Sequence, residues 1–242
     1  MSLKLERIPS EIKKETAKEK KLNKMIPKPL PFSWIILGAV GAGKSSMIYS
    51  MINNKNGWFK NFFDKITIWQ STVDSNATWE SIPNVEVLNE YSEDNLECYY
   101  KTIQDQQQVL RDAKKKLHQY LFIFDDMITR NIVSHHKTSV IDHIFQTNRH
   151  NNVSIIICSQ KYKQLNKTTR ADNLTGLFVL RVNKSEIEQV AEEHSGLLDE
   201  KEFINMYDKI MEDSRGYLFI DYKAPIKERF RDTINDIIKI SE

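Results

Sequence analysis

Residues 38–45 read Gly38-Ala39-Val40-Gly41-Ala42-Gly43-Lys44-Ser45, a G-x-x-x-x-G-K-S run. In such a run the glycines let consecutive backbone N–H groups turn inward around a phosphate. The lysine reaches the β- and γ-phosphates, and the serine hydroxyl ligates Mg2+. The flanks constrain the fold as tightly as the loop does. Trp34-Ile35-Ile36-Leu37 is the short apolar run of a buried strand, and Met47, Ile48, Met51 and Ile52 recur at helical spacing. The run therefore joins a strand to a helix N-terminus, whose partial positive charge also favours phosphate. Three of the chain's seven glycines fall here, so a chance match in a glycine-rich stretch is a poor account of it. Gly38, Ala39, Val40, Gly41, Ala42, Gly43, Lys44, Ser45 and Ser46 are the expected contacts of a nucleoside triphosphate.

With 242 residues, 40% of them hydrophobic and 28% charged, the chain can bury a full core. No apolar run approaches the roughly 20 residues of a membrane-spanning helix, and the first thirty residues lack the apolar centre of a signal peptide. Cys98 and Cys158 match no metal or disulfide spacing, which fits a reducing, intracellular setting; Cys158 lies in an apolar run and reads as a small core residue. The net charge is +2, but residues 1–30 carry eight Lys and Arg7 against four Glu, so the remainder is slightly acidic. That arm is either a solvated extension or a contact for DNA phosphate or a neighbouring subunit. Met25-Ile26-Pro27-Lys28-Pro29-Leu30-Pro31 is an extended linker, dividing the chain into an arm (1–30) and one compact domain (31–242).

Beyond the linker, β-rich segments alternate with helical ones, which predicts an α/β fold with a mostly parallel sheet flanked by helices. Strands are expected at 33–37, 65–69, 84–88, 119–124, 153–158, 177–182 and 217–221. Leu96, Tyr99, Tyr100, Ile103 and Leu110 suit one helix face, as do Val140, Ile141, Ile144 and Phe145, and again Phe203, Tyr207 and Ile210. Gln106-Gln107-Gln108 is read as the wet face of its helix.

In open parallel sheets ligands gather at the carboxyl ends of the strands. Tyr120-Leu121-Phe122-Ile123-Phe124-Asp125-Asp126 runs four apolar residues into two acids. Asp125 is placed to hold Mg2+, and Asp126 to orient or deprotonate the attacking water. The alternative makes Asp126 a helix cap or turn residue, but adjacent carboxylates at a buried strand end favour a cation between them. Ile155-Ile156-Ile157-Cys158-Ser159-Gln160 then ends a strand on Gln160, which could bond a γ-phosphate oxygen and the lytic water; a plain surface-loop glutamine is the alternative. Arg149 and Arg170 are candidates for an arginine that stabilises transition-state charge on a neighbouring subunit's phosphoryl group, with surface salt bridging as the competing reading. His135, His136 and His143 lack metal-site spacing.

The ordered set GAVGAGKS, YLFIFDD, Asn148-Arg149-His150 just before a strand, and SIIICSQ resembles the FtsK–HerA superfamily of pumping ATPases. Within it the chain is most similar to the genome-packaging ATPases of large DNA viruses, the poxvirus-type group. Arg170 and Asn173 form a similar Arg-x-x-Asn, and Gly216-Tyr217-Leu218-Phe219-Ile220-Asp221 with Arg229-Phe230-Arg231 forms a similar closing strand. The likeness spans about residues 30–232. It implies an additional-strand (RecA-like) P-loop fold, ATP with Mg2+, and a homo-oligomeric ring of five or six subunits. It also implies translocation of double-stranded DNA into a preformed capsid at its packaging vertex, with assembly in the host cytoplasm. By position Asp126 takes the role that a glutamate fills in many members, and Arg149 is the better trans-acting arginine, with Arg170 second. Lys161, Lys163 and Lys167, with the basic arm, are the candidates for DNA contact.

Other readings are weaker. Asn183-Lys184-Ser185-Glu186 nearly mimics a guanine-reading N-K-x-D, but Glu186 is imperfect and no D-x-x-G follows Asp125. A small-molecule kinase would need an arginine-rich lid. A nucleotide-dependent assembly switch without translocation, or a DNA-pumping ATPase of a mobile element or conjugation system, would share the same core.

Overall fold

The computed structural model describes residues 30–54, 57–70, 79–127, 139–233 and 236–238. Most of the basic arm and two of the three histidines, His135 and His136, lie outside these residues. In chain order the elements are β1 (Ser33–Leu37), α1 (Lys44–Asn53), β2 (Lys65–Gln70), β3 (Val85–Leu88), α2 (Glu93–Asp112), β4 (Tyr120–Asp125) and α3 (Val140–Thr147). There follow β5 (Val153–Ser159), β6 (Gly176–Val179), α4 (Lys184–His194), α5 (Glu200–Ile210), β7 (Leu218–Asp221), β8 (Phe230–Asp232) and β9 (Asp236–Ile237).

All strands join one sheet in the order β3-β2-β4-β5-β1-β6-β7-β8-β9. The first six are parallel and β7, β8 and β9 add antiparallel pairs at one edge. The expected strands are present, β1 with the expected bounds and the others with one or both ends shifted by one residue, or by three at the end of β6, which stops at Val179. The short antiparallel β8 and β9 were not anticipated. β5 lies between β1 and β4, so the strand ending in Gln160 separates the phosphate-loop strand from the acid-pair strand, as an additional-strand fold requires.

Central strands are buried on both faces, which is why they read as unbroken apolar runs rather than alternations. Successive side chains still point to opposite faces. Ile35, Leu37, Phe122, Phe124, Ile155 and Ile157 share one core with the buried faces of α2, α3, α4 and α5. Trp34, Ile36, Leu121, Ile123, Ile156 and Cys158 share the other with Ile48, Met51 and Ile52 of α1 and with Phe59, Phe62 and Phe63. On that second face Phe32 stacks on Trp34, centroids 3.8 Å apart.

Gln107 corrects the expectation of a wet glutamine face. It is fully buried, continuing the Leu96, Tyr100 and Ile103 stripe. Its amide donates to His118 O (2.8 Å) and Asn151 O (2.7 Å) and accepts from His118 N (3.1 Å), which stitches α2 to the entry of β4. Gln106 and Gln108 are exposed. The spacing 96, 100, 103, 107 is the helical signal that composition obscured.

A buried polar cluster holds the segment after β5 against α4. Tyr162 donates from its hydroxyl to Glu193 (2.8 Å) and meets Nε2 of His194. Arg170 makes a two-point pair with Glu193 at 2.8 and 3.0 Å and lies over the Tyr162 ring. Burial, helped by the positive charges of Arg170 and Arg229, holds His194 down at about 4. Between pH 6.5 and 4 the unfolded chain binds this proton and the folded chain does not, so stability is present above pH 6.5 and is lost as pH falls through that window. Urea unfolding at pH 7 and pH 5 should show wild type losing about 2 kcal/mol more than His194→Gln.

Candidate active site

The loop from Gly38 to Ser45 turns at the carboxyl end of β1. Gly41 and Gly43 take φ of 74° and 93°, left-handed values that a side chain would resist. Gly43 is the N-cap of α1, with no side-chain cap and no acidic residue in the first turn, whereas α2, α3, α4 and α5 are each capped by Ser or an acid or amide side chain. The first helical bond runs from Met47 N to Gly43 O. The N–H groups of Lys44, Ser45 and Ser46 precede it, and the opening N–H groups of a helix have no partner within it. Two backbone bonds moor the loop, Gly38 N to Ser159 O (3.0 Å) and Ala39 N to Arg181 O (2.8 Å). Val40, at the tip, is 80% exposed.

Lys44 is only 6% exposed. Its ammonium donates to Gly38 O (2.9 Å) and Ala39 O (3.1 Å) and stands 4.0 Å from Asp126 Oδ1. Ser45 Oγ donates to Asp125 Oδ2 at 2.6 Å. Asp125 is the last residue of β4 and 8% exposed. Burial pushes its carboxyl up; hydrogen bonds from Ser45 and Cys158 oppose that, and the charge of Asp126 adds to it. A hydroxyl and a buried carboxylate in contact are hard oxygen donors, which fits Mg2+ shared with substrate phosphate.

Asp126 leaves the strand with φ of 52°, which turns its carboxylate toward the glutamine that ends β5. Gln160 Nε2 donates to Asp126 Oδ1 at 3.0 Å. Five expected site residues, Lys44, Ser45, Asp125, Asp126 and Gln160, therefore converge at the carboxyl ends of β1, β4 and β5. Each already holds a partner inside the site, and each such partner can be exchanged for a phosphate oxygen, a cation or water.

The two arginines part company. Arg149 is exposed in the 3-10 turn Asn148–Asn151, at the amino end of β5. Seven residue steps put that end about 23 Å from Gln160, so Arg149 cannot serve its own chain's phosphate site but is open to a neighbour. Arg170 is already paired with Glu193 and packed on Tyr162 within its own chain.

Several supporting residues escaped the sequence reading. Glu186, buried on α4, accepts the Tyr162 N–H at 2.7 Å and so anchors the turn that follows Gln160. Asn183 caps α4, accepting from Glu186 N (3.0 Å) and Ser185 Oγ (2.9 Å). That cap accounts for the Asn-Lys-Ser-Glu run without a guanine. Gln70, 2% exposed, lies opposite Asp125 in the β2–β4 ladder and accepts from Trp79 Nε1; a polar residue ending an apolar strand was its only signal. Among the described residues no helix is long and apolar enough to cross a membrane, and His143 is exposed against Tyr100.

Residues 18–223 match the family described as poxvirus A32 protein. The chain belongs to that family of packaging ATPases. The A32-family chain is also similar in structure to B204, the genome packaging NTPase of Sulfolobus turreted icosahedral virus 2. That likeness has a TM-score of 0.54 at 14% identity, over 81% of this chain and 94% of B204. B204 from Sulfolobus turreted icosahedral virus gives 0.51 at 12% identity, covering 80% and 94%. EssC ATPases 2 and 3 of Geobacillus thermodenitrificans give 0.53 at 12% identity, over 66% of this chain and 34% of that one. No curated protein matches it. At these identities the structural likeness concerns the fold, a P-loop ATPase fold as expected.

Purified Arg170→Ala should lose on the order of 3 kcal/mol of stability, the scale of breaking a buried pair, while its turnover per folded molecule stays near wild type. Arg149→Ala should do the reverse, keeping its melting temperature and losing ATP turnover. Melting curves and steady-state hydrolysis on the same samples separate the two.

Proposed function

We propose that the chain is an Mg-ATP-dependent motor that moves double-stranded DNA into a preformed viral capsid as one subunit of a ring. The observation that carries this reading is the convergence of Lys44, Ser45, Asp125, Asp126 and Gln160 in a chain of the poxvirus A32 family. B204, similar in fold, is a genome packaging NTPase described in complexes with sulfate, AMPPCP, ATP-gammaS and AMP, which supports ATP as the substrate here.

The loop amides and the start of α1 would cradle the phosphates, and Lys44 would exchange its two carbonyl partners for phosphate oxygens. Mg2+, held by Ser45 and Asp125, would neutralise charge on the β- and γ-oxygens. Asp126 would take a proton from the water whose oxygen attacks the γ-phosphorus, as the bond to the β-phosphate bridging oxygen breaks and ADP leaves. In the present geometry Gln160 holds Asp126; a γ-phosphate oxygen competing for the Gln160 amide would free the carboxylate for water, so that hydrolysis waits for a complete triphosphate. Arg149 of a neighbouring subunit would stabilise charge on the transferred group. Double-stranded DNA and a capsid vertex are the partners of this reading, and the host cytoplasm is where it places assembly.

Steady-state ATP hydrolysis with and without linear double-stranded DNA tests it. DNA should stimulate turnover strongly, and Asp126→Asn should lose it by at least about a hundredfold. Hydrolysis indifferent to DNA would replace the motor with an assembly switch. Mixed rings of Arg149→Ala and Asp126→Asn subunits should regain part of the lost turnover, because some interfaces then hold one intact residue of each kind.

A further inference from the structure

The residues assigned so far grip phosphate and metal and leave the rest of the nucleotide unaccounted for. We propose that the apolar cleft on the flank of α1, between Met47 and Met51 on one side and Trp58 and Tyr217 on the other, takes the purine base and ribose of the bound nucleotide. This rests on the nucleotide reading of the phosphate loop.

The cleft encloses about 310 Å³, within the range of small-ligand sites. It begins one residue beyond Ser46, where the loop amides end. Met47, Ser50, Met51 and Asn54 line it, following one another at i, i+3, i+4 and i+7 along a single helix face, about 10 Å of helix length. Its far wall belongs to the same end of the sheet as the loop. Leu37 of β1 lies beside Val179 of β6, and Val179 beside Leu218 of β7, so Tyr217 stands two strands from the phosphate loop and level with it. Gly216 lets the chain enter that position: a Cβ there would fall 2.2 Å from Ile210 O at the end of α5. Thr233 N bonds Tyr217 O at 3.1 Å, and the Tyr217 ring rests 5.8 Å from Phe178, which fixes the wall while leaving the side chain half-buried.

The lining chemistry selects the occupant. Two thioethers, an indole and a phenol offer polarisable surface for a flat ring, Ser50 and Asn54 add polar groups at the rim, and among the described residues no charged side chain lines the cleft. A neutral heteroaromatic ring joined by a sugar to the phosphates satisfies both that surface and the short reach from Ser46.

Calorimetric titration with Mg-ATP and with inorganic tripolyphosphate tests the assignment. Tyr217→Ala should weaken ATP binding about tenfold, the scale of one lost base–aromatic stack, and Met47→Ala by roughly two- to tenfold, the scale of a sulfur–aromatic contact. Both should leave tripolyphosphate affinity within about twofold, which also shows that the loop remains folded. Tyr217→Phe should bind ATP as wild type does. Variants that weaken both ligands equally, or that bind ATP unchanged, overturn the cleft as the base site. A wild-type protein that binds neither ligand overturns the nucleotide reading itself.

Discussion

Parallel pairing of β5 with both β1 and β4 is the constraint on which the site depends. Along the chain the order is phosphate loop, acid pair, glutamine; across the sheet the glutamine strand is the middle one. The register brings Leu37 beside Ser159 and Phe124 beside Ile157, so three strand ends finish nearly level. From that alignment follow the Ser45–Asp125 contact across 80 residues of chain and the Gln160–Asp126 contact across 34. Because Asp125, Asp126 and Gln160 sit at the ends of buried strands, and Lys44 and Ser45 open the helix packed on that sheet, the site inherits the stiffness of the core.

Burial at those strand ends also sets the electrostatics. A lysine and an aspartate almost out of water would each be costly alone. Here the ammonium rests on two carbonyls, the inner carboxylate receives a hydroxyl, and the outer carboxylate receives an amide. Burial pushes the Asp125 carboxyl up, and a cation beside it would offset that cost of leaving water. In a site built this way each charged or polar group has a partner within the fold.

The supporting shell is less obvious and equally physical. Glu186, on α4, fastens the turn after Gln160 from one side, and the cluster of Tyr162, Arg170, Glu193 and His194 packs beneath it. Arg170, suggestive in sequence as a catalytic arginine, belongs to this shell. Arg149 stands at the opposite end of the sheet, exposed, where only another subunit could use it.

Much of this was legible in the chain. The loop motif, the apolar run into two acids and the apolar run into glutamine name their chemistry because phosphate binding, metal binding and strand burial each demand particular residue types at fixed spacing. Sequence by itself determined the α/β class and the parallel core, and it singled out the five residues that the fold brings together. It did not determine partnership. Whether a glutamine in a triplet faces water or stitches a helix to a strand, as Gln107 does, depends on which backbone comes near. The same holds for Arg170, whose pairing with Glu193 is a contact between segments 23 residues apart, and for Asn183, whose motif-like context resolves into a helix cap. Only the tertiary structure decided these, because hydrogen-bond and charge pairing act over a few ångströms and the chain brings those partners close only after its apolar faces have packed.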